Sequence, residues 1–71
     1  MTEATQLAAS ASSKDPAVGL RAVASLRQLL EGLERLQVEN ARERGWPWEA
    51  IAGELGVSKQ AVHKKYARRL G

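Results

Sequence analysis

Between Ser58 and Gly71 the chain carries five cations, Lys59, Lys64, Lys65, Arg68 and Arg69, and no acid. Residues 1–57 set six cations against eight acids, so the formal net charge of +3 belongs almost wholly to one end of the molecule. A basic stripe confined to one segment and interleaved with Gln60 and His63 has the chemistry of a polyanion binder: charge neutralisation plus directed hydrogen bonds. A solvated helix face is the plain alternative, but such faces usually mix signs, as residues 27–44 do. Other chemistry has little to build on. His63 is the single histidine, there is no cysteine, and no carboxylates cluster beside it in the sequence. Neither a metal centre nor a catalytic group is expected, and the chain reads as a non-enzyme with no cofactor and no small-molecule ligand.

These side chains need a rigid carrier. The stretch from Pro47 to Leu70 reads as a short helix, a tight turn at Leu55-Gly56-Val57, and a second helix opened by Ser58 as its N-cap. Trp48, Ile51, Ala52 and Leu55 would share the inner face of the first helix, with Ala52 allowing close approach of the second. Gly56 supplies a positive φ, and Val57 plugs the turn. On the second helix Ala61, Val62, Tyr66 and Leu70 are expected to face inward. The sequence Gly45-Trp46-Pro47-Trp48 forms the joint before this unit, with the two tryptophans closing over it. Stacking of a Trp on a nucleobase is the functional alternative to that packing role.

A long helix should lead into the joint. Asp15 as N-cap and Pro16 at the first helical position start it, and Gly45 stops it, giving roughly 29 residues or about 43 Å. Gly19 and Gly32 weaken it, and either could mark a bend or the close approach of another backbone. Ala22, Leu26, Leu29, Leu33 and Leu36 recur at spacings of three and four, and Val23 and Leu30 widen the stripe. The stripe is wider than two short helices need. The reading is therefore a homodimer in which Val18, Ala22, Val23, Leu26, Leu29, Leu30 and Leu33 meet a second copy, since 71 residues without disulfides make a small core. In a coiled-coil register Leu26 and Leu33 would hold one core position, Leu29 and Leu36 the other, with Asn40 as a polar register residue. Packing of the whole stripe on the chain's own C-terminal helices is the alternative. Residues 1–14, rich in Ala, Ser and Thr, read as a flexible tail with at most a transient turn of helix around 2–9. The domain plan is thus tail 1–14, long amphipathic helix 15–45 and helix-turn-helix 46–71, an all-α chain of three main helices.

The segment WEAIAGELGVSKQAVHKKYARRL resembles the helix-turn-helix of bacterial DNA-binding proteins. Its pattern, apolar-Ala-x-x-apolar-Gly-apolar-Ser-x-x-x-Val, is similar to the C-terminal modules of resolvases and invertases. With the long leading helix and the RERGW junction, the whole chain looks most like small actinobacterial nucleoid-associated-like proteins with a single such motif. The motif covers about 25 of the residues, and Ala52, Gly56, Val57 and Val62 are its more specific positions. One departure stands out: the pattern places an apolar residue three after Val62, where this chain has Lys65, so Tyr66 must take that packing role.

The resemblance implies that the outer face of the second helix meets double-stranded DNA in the major groove. Base readout would fall to Ser58, Lys59, Gln60 and His63, with Ala67 on the same face. Lys59 can donate to guanine O6 and N7, and Gln60 can bond adenine N6 and N7. Lys64, Lys65, Arg68 and Arg69 would hold phosphates, giving affinity without sequence. The expected function is a nucleoid-associated-like protein, binding short sites as a homodimer and influencing chromosome organisation and transcription. A regulator of few operators is the nearer alternative, and a protein-interaction module such as an antitoxin or polymerase adaptor the more distant one. No signal-like or bilayer-length apolar segment is visible, so a cytoplasmic, nucleoid-located protein without membrane contact is expected.

Overall fold

In the computed structural model, which describes residues 2–70 and, of Arg69 and Leu70, only the backbone, the chain forms four helices. They are α1 (Glu3–Ala11), α2 (Pro16–Glu43), α3 (Trp48–Leu55) and α4 (Lys59–Leu70). No strand occurs among the described residues. The all-α expectation holds, but with one helix more than the three expected.

The additional helix is α1. Its composition promised a mobile tail, yet Glu3–Ala11 is helical. Thr2 caps it, accepting from the Thr5 amide at 3.2 Å, and Ser12 closes the other end by donating its hydroxyl to Ala9 O at 2.9 Å. Short polar side chains that favour disorder in the middle of a segment favour helix when they fall at its two ends. The segment has one large apolar side chain, the half-buried Leu7, and α1 contains no buried residue.

The start of α2 follows the expected chemistry. Asp15 Oδ1 accepts from the Ala17 amide at 3.0 Å, and Pro16 is the first helical residue. Gly19 lies inside the helix, where a Cβ would stand 3.5 Å from the carbonyl oxygens of Ala11 and Ser13, an ordinary van der Waals contact. Ala22, three residues on, is also buried, at 6% exposure. This small-residue face is covered from within the chain, which removes Ala22 from the expected set of dimer contacts.

The chain divides into two compact units, Met1–Leu33 and Glu34–Gly71, with α2 running through both. In the second unit, Val38, Ile51, Ala52, Val62 and Tyr66 form the core, with Ala41 and Trp48 packed against it. Leu36, the member of the leucine stripe that falls in this unit, is not part of this core. Val38 and Leu36 are two residues apart, which puts them at roughly 200° around a helix of about 100° per residue. Val38 is 1% exposed and Leu36 is 56% exposed. So within this unit α2 faces the core with Val38 and Ala41 and leaves Leu36 outside it.

Both α2 and α3 end in the same way. Gly45 (φ +82°) follows α2, where the Trp46 amide donates to Ala41 O at 3.0 Å and the Gly45 amide to Arg42 O at 3.0 Å. Gly56 (φ +70°) follows α3, where Val57 N donates to Ala52 O at 3.1 Å and Gly56 N to Gly53 O at 3.3 Å. These paired bonds satisfy carbonyls that the helix ends would leave open, and a left-handed glycine makes them reachable. No helix among the described residues is long and apolar enough to cross a membrane.

Candidate nucleic-acid interface

The short turn through Gly56, Val57 and Ser58 fixes where α4 begins. Ser58 Oγ accepts from the Ala61 amide at 3.1 Å, so the expected cap forms. That bond uses one lone pair of the hydroxyl and leaves its O–H donor and the second lone pair uncommitted to it. From this cap α4 sends Val62 and Tyr66 inward, both about 2% exposed. Lys59, Gln60, His63, Lys64, Lys65 and Arg68 are exposed, and Ala67 is half-buried. Two inner-face expectations are corrected here. Ala61 is exposed, and Leu55 at the end of α3 is 40% exposed. Val57, expected to plug the turn, is 48% exposed. Arg69 and Leu70, read as a phosphate contact and an inner-face residue, have side chains outside the described residues.

The departure at position 65 resolves as a swap of roles. Tyr66 takes the buried position and donates its hydroxyl to Glu34 Oε1 of α2 at 2.9 Å. Lys65 Nζ lies 3.4 Å from the same carboxylate oxygen and 5.4 Å from the Tyr66 ring centroid. Glu34 thus fastens α4 to α2 through two neighbouring residues. An acid that looks like surface charge in the sequence is a packing residue, because the tyrosine ring carries its polar end to the edge of the core.

His63 does not stand alone. Its ring meets Trp48 edge-on with centroids 5.5 Å apart, and the Arg42 guanidinium lies 4.6 Å from the centroid of the Trp48 ring. Arg42 Nη1 also donates to Trp46 O at 2.8 Å. One ring from the start of α3 therefore joins the end of α2 to the exposed side of α4. Trp48 is half-buried and already carries two partners, which argues for the packing role over base stacking.

Lys59, the first residue of α4, pairs with Glu49 in the first turn of α3. Their Nζ–Oε1 distance is 2.7 Å, with side chains 52% and 65% exposed. The sequence reading missed this pair, since the two residues are ten apart and meet only because the Gly56 turn folds α4 against α3. Lys64 and Arg68 have no ion pair among the described residues.

The same unit holds an apolar groove of about 320 Å³ between α2 and α3. Val38, Ala41, Trp46, Ile51 and Leu55 line it, with Glu34, Gln37, Asn40, Arg44 and Glu54 as polar neighbours. Trp46, expected to close over the joint, is 40% exposed here. Asn40 is exposed and accepts from Arg44 Nε at 3.3 Å. Among the described residues no three His, Cys, Asp or Glu side chains are grouped to hold a metal ion.

Of the residues read as a dimer surface, Val18, Val23, Leu30 and Leu33 are exposed, while Leu26 and Leu29 are half-buried. Leu20, not anticipated, is 69% exposed. No protein-family model matches the chain, and no curated protein and no solved structure is significantly similar to it.

Proposed function

We propose that the chain is a double-stranded DNA-binding protein in which α3, the Gly56 turn and α4 act as a helix-turn-helix. One observation carries this reading: α4 anchors itself with Val62 and Tyr66 and keeps Lys59, Gln60, His63, Lys64, Lys65 and Arg68 on the outside. A helix with that division of labour has one face for its own core and one for a polyanion. Lys59 and Gln60 stand at its N-terminal end and suit base edges, with His63 steadied by Trp48 one turn further on. Lys64 and Arg68, unpaired among the described residues, suit phosphates.

The protein works as a homodimer in this reading. Val23, Leu30 and Leu33 of α2 are exposed, which leaves an apolar face for a second copy. So few base contacts per chain favour many short sites, hence a nucleoid-associated-like role in chromosome organisation and transcription rather than the control of few operators. Genome-wide occupancy separates the two, with thousands of sites for the first and a handful for the second.

The decisive measurement is duplex affinity against salt. Phosphate contacts from Lys64 and Arg68 of two copies, four in total, should lower affinity by about 10²-fold between 50 and 200 mM salt. Absence of duplex binding at the lowest salt would overturn the proposal. It would favour the protein-interaction reading instead, for which the exposed Trp46 and Leu55 beside the apolar groove are the supporting feature.

A further inference from the structure

Lys59 opens α4 and, in the DNA-binding reading, would be among the first residues to meet the duplex while being poorly able to tell a base from a phosphate. A free ammonium at the start of α4 would bind any phosphate it met. It is not free, because Glu49 Oε1 lies 2.7 Å from its Nζ. We propose that Glu49 is a specificity-determining residue that makes Lys59 selective for neutral base acceptors over phosphates. The inference rests on the DNA-binding reading of α4.

The physical basis is donor count and charge. A lysine ammonium has three N–H donors and no acceptor. One donor can stay on Glu49 while the others reach O6 and N7 of a guanine, which carry no net charge. A phosphate brought to the same ammonium would place its negative charge within a few ångströms of the Glu49 carboxylate. Either the two anions repel, or Glu49 must leave and the ion pair is exchanged for another with little gain. The pair therefore discounts phosphate binding and leaves guanine binding nearly intact. It also holds a flexible four-carbon side chain in one place, which reduces the ordering needed on binding.

The position of Glu49 supports the assignment. It sits in the first turn of α3, where a carboxylate suits the helix dipole and needs no lysine to be tolerated. It nevertheless reaches across to α4. Glu54, the other acid of α3, lines the groove against α2 and serves as a matched control for removal of one negative charge.

The test compares full-length wild type, Glu49→Gln, Glu54→Gln, Lys59→Met and the Glu49→Gln/Lys59→Met double variant. Each is titrated with a duplex recovered by binding-site selection and with a scrambled duplex of the same length, over a salt series. Glu49→Gln should tighten binding to the scrambled duplex by roughly threefold to tenfold, and to the selected duplex by clearly less. Its salt slope on the scrambled duplex should steepen by about 0.9 for each copy bound. Glu54→Gln should leave the ratio of the two affinities unchanged, and in the Lys59→Met background Glu49→Gln should no longer alter it. If wild type binds duplex and Glu49→Gln has the wild-type ratio, or Glu54→Gln shifts it equally, the role of Glu49 is overturned while DNA binding stands. If wild type binds neither duplex at the lowest salt, both readings fall together.

Discussion

At the scale of single residues, the ionisable side chains of the second unit do two kinds of work that the sequence does not separate. Glu34, Arg42 and Lys65 all look like solvated charges, yet each joins α2, α3 or α4 to a neighbour through Tyr66 or Trp48. Tyr66→Phe keeps the ring in the core and removes only the hydroxyl that Glu34 accepts. It should destabilise the fold by about 1 kcal/mol, since a part-buried bond to a carboxylate is worth somewhat more than a neutral one and solvent offsets part of it. A lower urea midpoint at unchanged m would show this, with duplex affinity unaltered. Gln60 gives the opposite signature. It is exposed on the outer side of α4, so Gln60→Ala should leave stability within about 0.5 kcal/mol of wild type. Under the DNA-binding reading it should relax preference at one base pair by about 1–3 kcal/mol. A binding-site selection that returned an unchanged base preference at every position for the variant would remove Gln60 from the readout.

At the scale of elements, what was legible depended on whether the signal was local. The start of α2 at Asp15-Pro16, the stops at Gly45 and Gly56 and the Ser58 cap are set by side chains and φ angles within a few residues, and each forms as read. The packing role of Tyr66 in place of Lys65 was legible through the departure from the helix-turn-helix pattern that the segment resembles. Which face α2 would turn to the core was not. The large leucines dominate any periodicity, and the choice of the smaller Val38 and Ala41 is made by the helices that arrive later in the chain. The helix α1 was hidden for another reason: its two capping hydroxyls are the same residue types that signal disorder. The glycines turn these distinctions into a prediction. Gly32 has an ordinary helical backbone with nothing within 4 Å of an added Cβ, so Gly32→Ala should stabilise by about 0.5–1 kcal/mol. Gly56 has equal room but φ +70°, and Gly56→Ala should cost about 1–2 kcal/mol through backbone strain alone. Thermal midpoints moving in opposite directions, by about 4–8 °C per kcal/mol, are the expected outcome.

At the scale of the whole molecule, the question is what covers the apolar face of α2. The buried core of the second unit is five residues, and α1 buries none of its own, so the single chain is a small structure with large leucines outside it. Leu30 at 62% and Leu33 at 50% exposure make no contribution to that core. Together with Val23 and the half-buried Leu26 they recur at spacings of three, four and three, the spacing of a two-stranded helical seam. Pairing through this seam would set two α4 helices on one duplex and make a short readout useful, provided the half-sites lie about 34 Å apart. Replacing both leucines, Leu30→Glu with Leu33→Glu, separates assembly from folding, because neither side chain is buried in the monomer. Under the homodimer reading, sedimentation equilibrium should show wild type as a dimer at micromolar concentration and the variant as a monomer with the same helical content. On a duplex with two half-sites the variant should bind at least tenfold more weakly, whereas on a single half-site the two proteins should bind alike. A wild-type chain that sediments as a monomer at tens of micromolar, or a variant that still dimerises, would assign the leucine face to something other than a second copy.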